Sequence, residues 1–138
     1  MKIKRSATAH WIGTGKEGQG TLSTPSQVLE NTRYGFQSRF ADGPGTNPEE
    51  LLGAAHAGCF SMKLAFNLEG AGFTAQSIQT TSAVILEDGA IKDIELSTEV
   101  KAEGLDDAQF QKLAEDAKAN CPVSKLFNAN MTLKAVLL

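Results

Sequence analysis

Between Asn47 and Gly70 the sequence carries a long helix signal with a sharply marked beginning. Asn47 suits an N-cap, Pro48 the first helical position, where its missing N–H costs nothing, and Glu50 stands three residues after the cap as in a capping box. Leu52, Ala55, Cys59, Met62 and Phe66 then recur at helical spacing, which predicts one buried face with Cys59 on it and an end around Gly70 to Gly72.

The segments on either side read mainly as strands. From Ile3 to Trp11 side chains alternate, Gly13 to Gly20 form a turn region, and shorter strands are predicted near Thr21 to Ser23 and Tyr34 to Phe40, a β-meander in all. After the long helix, Ser77 to Leu86 and Ile91 to Ala102 form a hairpin across Asp88-Gly89, with Ile94, Leu96, Thr98 and Val100 facing the core. Asp106 and Gln109 open a second helix whose apolar positions are Phe110, Leu113, Ala114 and Ala117. Asn120 and Pro122 stop it, and Met131 to Leu137 alternates as a closing strand. The order predicts one α+β domain over residues 1–138.

Composition narrows the function classes. A formal charge of -3, with Lys and Arg scattered, provides no basic field for nucleic acid. No apolar run is long enough to span a bilayer, and Lys2, Lys4 and Arg5 lead into Ser6, Ala7 and Thr8 rather than the apolar core of a leader. The expectation is a cytoplasmic protein with neither a nucleic-acid nor a membrane partner. The 2 cysteines are too few for a disulfide scaffold and lack the paired spacing of a structural zinc site.

The two thiols sit in different settings. Burial on a helix would make Cys59 inert unless a cation stands beside it, and His56, Lys63 or an arginine from elsewhere are the candidates. Cys121, preceding Pro122, can cap a short turn from Pro122 to Phe127, where free backbone N–H groups favour a thiolate. Local physics makes Cys121 the more acidic of the two and does not decide which attacks first. His56 beside Cys59 also admits a Cys-His hydrolase pair or half a metal site, but no third ligand or orienting acid stands at a recognised spacing. Phe36, Phe40, Phe60, Met62 and Phe127 are candidates to line an apolar substrate pocket, with core packing the plainer use of each.

Three stretches carry a resemblance: Tyr34-Gly35-Phe36-Gln37-Ser38-Arg39-Phe40, the run from Gly45-Thr46-Asn47-Pro48-Glu49-Glu50 through His56-Ala57-Gly58-Cys59-Phe60-Ser61-Met62, and Cys121-Pro122-Val123-Ser124. Together they resemble the OsmC branch of the OsmC/Ohr family of bacterial hydroperoxide reductases. The resemblance implies an OsmC-like, intertwined homodimer, with Cys59 as peroxidatic and Cys121 as resolving cysteine. It also implies a catalytic arginine at Arg39, in the third strand, held by Glu50, with Glu49 the nearby rival for that role. No cofactor is implied beyond an external dithiol reductant of lipoyl type. The substrate would be an organic hydroperoxide; the alternative is a stress-induced dimer that binds without catalysing.

On one straight helix, nine residues place Glu50 and Cys59 about 180° apart around the axis and roughly 13.5 Å apart along it. The carboxylate and the thiol of one chain therefore should not share an active site, and sites composed from two chains are expected.

Overall fold

A computed structural model describes residues 1–138, which divide into two compact units, Met1–Leu51 and Leu52–Leu138. The fold is α+β, with helices and two three-stranded sheets, as the sequence predicts. No helix is long and apolar enough to cross a membrane.

In the first unit β1 (Thr8–Ile12), β2 (Gln19–Ser23) and β3 (Thr32–Tyr34) form an antiparallel meander. The alternation from Ile3 becomes strand only at Thr8, because β2 ends at Ser23, the residue paired with Thr8. Trp11 and Tyr34 pack with ring centroids 5.4 Å apart and planes tilted by 57°, and Gly20 lies beside them where a Cβ would run into both rings. The predicted strand from Tyr34 to Phe40 is corrected. It stops at Tyr34, and Phe36–Phe40 is a short helix, α1, so Arg39 is helical. Gly35 and Ser38 cause the switch: Ser38 Oγ accepts the Gly35 N–H at 2.9 Å and donates to the Gly35 carbonyl at 3.1 Å, turning the chain at its first step. Only Gly20, Ser38 and Thr46 are buried in this unit, so it has no buried large apolar side chain.

The second unit holds the core. β4 (Ser77–Glu87) and β5 (Ala90–Lys101) form an antiparallel hairpin whose turn residues, Asp88 and Gly89, take φ of 50° and 77°. β6 (Asn130–Leu137) runs parallel to β5 and needs a crossover, which α3 (Asp107–Asn120) and α4 (Pro122–Leu126) supply. Asp106 caps α3, its carboxylate accepting the Gln109 N–H at 2.8 Å. Ile94, Leu96, Thr98 and Val100 are all buried, as their alternation predicts. Leu96 and Val100 meet Phe60, Leu64 and Leu68 from the long helix and Phe110, Ala114 and Ala117 from α3.

The long helix, α2, spans Pro48–Gly70, within two residues of its predicted limits. Its buried face is not the predicted one. Gly53, His56, Phe60, Leu64 and Leu68 are buried, whereas Met62 and Phe66 are 64% and 61% exposed and Cys59 is half-buried. The helix is apolar on two faces, and close approach to β4 chooses between them: a Cβ on Gly53 would stand 2.9 Å from the Ser82 carbonyl oxygen. Gly58 has open space at the same position. Gly53→Ala is therefore expected to cost about 1–3 kcal/mol through overpacking. Gly58→Ala should be neutral or add up to about 1 kcal/mol from helix propensity. Denaturant midpoints of the two variants check this, and equal midpoints would show that close packing at Gly53 does not set the helix face.

Candidate active site

Cys59 reaches the site from the middle of α2, and Cys121 from the junction of α3 and α4, where it is both C-cap of one helix and N-cap of the next. Pro122 forces this junction, since it cannot continue α3 but suits the first position of α4. The thiol of Cys121 accepts the Ser124 N–H at 3.4 Å, a capping bond that the sequence predicts. Both cysteines are reduced, and Cys121 adjoins Cys59 closely enough to influence its ionisation. Burial pushes the Cys59 thiol up from its ordinary value; the Val123 N–H pulls it down, and the adjoining Cys121 pushes it up again.

His56 does not pair with Cys59, although it lies one turn before it. Its ring is fully buried, with Nε2 2.7 Å from Ser124 Oγ and Nδ1 3.4 Å from Ser82 Oγ, and Phe127 stands edge-on at 5.2 Å. Ser124 Oγ is in turn 3.0 Å from Cys121 Sγ. Burial lowers the His56 pKa, so the imidazole is neutral at pH 7. No cluster of three or more His, Cys, Asp or Glu side chains is placed to hold a metal ion.

In the first unit Arg39 Nε donates to Glu49 Oε1 at 2.9 Å, so Glu49, not Glu50, is the arginine's partner. Glu50 is already engaged in starting α2. Its N–H donates to Asn47 Oδ1 at 2.7 Å and its carboxylate accepts the Thr46 hydroxyl at 2.7 Å. Glu49, one residue earlier, carries none of this capping and turns to α1. Its second oxygen, Oε2, is buried without a hydrogen-bond partner. The guanidinium lies 5.2 Å from the Phe40 ring centroid, and Arg39, Phe36, Phe40, Trp11 and Tyr34 line a cavity of about 210 Å³. Of the other pocket candidates, Phe60 is core, Phe127 packs on His56 and Met62 is exposed. Lys63 forms no ion pair.

The sequence matches the OsmC-like protein family over residues 41–136. The chain belongs to that family. It is 49% identical over 137 residues to the peroxiredoxin OsmC of Escherichia coli strain K12, covering 96% of each chain. It is 27% identical over 128 residues to the organic hydroperoxide resistance protein OhrA of Bacillus subtilis strain 168, covering 91% of this chain and 90% of the other. Among solved structures, OhrB of Bacillus subtilis aligns at a TM-score of 0.64 with 25% identity, over 96% of this chain and 98% of that one. An OsmC-like protein of unknown function from Vibrio cholerae shares the fold at a TM-score of 0.76 and 15% identity, over 98% of this chain and all of its own.

Ser124 and Ser82 are the residues that sequence reasoning missed. Ser124 was within reach, because the N–H of a residue three after a helix cap points at the capping atom. Its bond to His56 joins positions 68 residues apart and left no local sign. The depressed His56 pKa carries a stability consequence. Above about pH 6.5 the ring is neutral folded or unfolded; as pH falls below that, the unfolded chain takes up the proton first and the fold loses stability. Unfolding measured between pH 5 and 8 should show this acid loss, and His56→Gln should lower the associated proton uptake by up to about one. An identical slope in the variant would show that His56 is not held neutral.

Proposed function

We propose that the protein is a cytoplasmic two-cysteine peroxidase that reduces organic hydroperoxides to alcohols in oxidative or osmotic stress defence. The observation that carries this reading is the pairing of two reduced thiols in unlike settings, Cys59 half-buried on a helix and Cys121 buried at a helix start, in a chain 49% identical to a peroxiredoxin. The Cys59 thiolate attacks one peroxide oxygen, the O–O bond breaks, and the alkoxide leaves and takes up a proton. Cys59 is left as a sulfenic acid. Cys121 condenses with it to a disulfide and water, which halts oxidation before the sulfinic stage, and an external dithiol of lipoyl type restores both thiols.

Within its own setting Cys59 is pushed toward the thiol form, so a cation must be brought to it. Arg39 is that cation in this proposal: a guanidinium stays protonated and offers a planar fork to the charge building on the peroxide oxygens. Glu49 is proposed in the holding role that the resemblance assigned to Glu50, because its Oε1 already takes Arg39 Nε and its free Oε2 can take a second donor of the fork. The lining of Trp11, Tyr34, Phe36 and Phe40 beside Arg39 suits an alkyl chain, each buried CH₂ adding about 0.8 kcal/mol.

The site is proposed to form between two copies of the chain, as an intertwined homodimer. Ten residues of uninterrupted helix separate Glu49 from Cys59, roughly 15 Å along the axis. Ala55, Met62, Ala65 and Phe66 leave an exposed small and apolar stripe on α2, and the first unit has no buried large apolar side chain of its own. Both features suit a surface covered by a second copy.

One equivalent of cumene hydroperoxide should remove both thiols of the reduced protein and release one alcohol. Cys59→Ser should abolish turnover, while Cys121→Ser should reduce one equivalent and stall as a sulfenic acid. A wild-type protein that keeps both thiols would instead favour a dimer that binds without catalysing, and a Cys121 variant as inactive as the Cys59 variant would reverse the two roles. Subunit exchange tests the shared site. Mixing Cys59→Ser with Arg39→Ala subunits should restore about half of wild-type activity per heterodimer, because one of its two sites is whole. Exchange demonstrated without any recovered activity would rule the shared site out.

A further inference from the structure

The peroxidase reading leaves one buried polar chain without a task, the line from Ser82 through His56 and Ser124 to Cys121. All four residues belong to the same compact unit. His56 is fully buried, Cys121 is fully buried, and Ser124 is 6% exposed, so the line runs through the interior. Buried polar groups cost free energy unless paired, and a core could replace a structural His-Ser pair with apolar side chains at little loss. The particular feature here is what the pair touches: Ser124 Oγ bridges His56 Nε2 at 2.7 Å and Cys121 Sγ at 3.0 Å.

Hydrogen counting allows two arrangements of this bridge. In one, the Cys121 S–H donates to Ser124 Oγ, the Ser124 O–H donates to His56 Nε2, and Nδ1–H faces Ser82. In the other, the thiol proton has passed to Ser124 while the serine's own proton has passed to Nε2. Cys121 is then a thiolate that accepts the Ser124 O–H and the Ser124 N–H, the latter already 3.4 Å away. The same atoms serve both forms with no side chain moving. Around His56, β4 contributes Ser82 and α4 contributes Ser124, and no charged side chain hydrogen-bonds to the ring. The titratable groups nearby are Cys59, one turn on along α2, and Cys121 beyond Ser124.

We propose that His56, acting through Ser124, is the proton acceptor that turns Cys121 into a thiolate for disulfide closure. This rests on the reading of Cys121 as the resolving cysteine. The thiol proton moves to Ser124 and the serine proton to His56. The Cys121 sulfur then attacks the Cys59 sulfenic sulfur, the S–O bond breaks with its electron pair on oxygen, and the departing hydroxide becomes water as the imidazolium gives up its proton. The sum is one sulfenic acid and one thiol giving one disulfide and one water, with no further oxidant. Burial suits His56 to a passing role, because it keeps the imidazole neutral and ready at pH 7 and makes the charged form short-lived. Ser124 touches the reacting Cys121 sulfur, and His56 acts through Ser124; neither touches the peroxide.

Rapid mixing of reduced protein with one equivalent of cumene hydroperoxide separates the two steps, with alcohol release reporting the first and loss of dimedone-trappable sulfenic acid reporting the second. Ser124→Ala and His56→Gln are each expected to slow the second step at least about tenfold more than the first, the lower end of what a positioned proton acceptor contributes. The double variant should be no slower than the slower single one. In the wild type the closing rate should fall on the acid side as His56 protonates; in both variants that limb should vanish. Closure in Ser124→Ala at the wild-type rate and with the wild-type pH profile would overturn the relay while leaving the peroxidase reading intact. Ser124→Ala decides the matter alone if His56→Gln does not fold. A wild-type protein that releases alcohol but forms no disulfide, or releases none, overturns the two-cysteine reading and the relay with it.

Discussion

The contact on which the arrangement of this protein depends is the seating of α2 on the β4–β5 hairpin. Gly53 brings the helix down onto the Ser82 carbonyl, and Phe60, Leu64 and Leu68 hold it there against Leu96 and Val100. This sets the rotation of the helix about its axis, and rotation decides what each side chain does. With Phe60 inward, Cys59 falls at the margin of the core, reachable yet beside Cys121. His56, on the inward face one turn earlier, is left under the α3–α4 junction with Ser124 as its partner. A turn of the helix by one residue would bury Cys59 fully and take His56 out of the line.

The α3–α4 junction is the other half of the arrangement. A proline directly after the cap ends one helix and begins the next, so a single residue, Cys121, stands at both ends at once. Its sulfur accepts the Ser124 N–H at 3.4 Å, which gives a buried thiol a backbone partner. Cys59 has the opposite surroundings, with burial as its dominant influence. The two thiols thus have different surroundings, Cys59 pushed toward its protonated form by burial and Cys121 capping a helix.

The N-terminal unit shows what happens to a chain segment whose strands are organised by turns rather than by a core. Its order comes from Gly20 under the Trp11–Tyr34 pair, from the Gly35–Ser38 switch and from the Arg39–Glu49 ion pair. None of these buries much apolar surface, and segments of this size seldom stand on such terms alone. Together with the exposed stripe on α2, this is the physical ground for proposing that the active form contains two copies.

The sequence by itself determined most of the elements and, where a local cap or turn marks them, their ends. Asn47-Pro48, Asp106 with Gln109, Asp88-Gly89 and Cys121-Pro122 each place a boundary through local backbone chemistry, and the alternation of Ile94, Leu96, Thr98 and Val100 assigns a sheet face because the period of a strand is two. Local signals of this kind act over a few residues, so they are legible without the fold. They also identified Cys59 and Cys121 as the residues to watch, while Arg39 came from the family resemblance. Only the tertiary structure decided among alternatives that are locally equivalent. Two apolar faces of α2 were open, and close packing at Gly53 chose Phe60 over Met62. Two adjacent carboxylates were open to Arg39, and the capping of α2 by Asn47 and Thr46 engaged Glu50 and left Glu49 free. The strand expected through Arg39 became a helix because Ser38 closed back on Gly35. His56 found Ser124 rather than Cys59 because its partner lies 68 residues away, a distance over which only packing, and no spacing in the sequence, brings two side chains together.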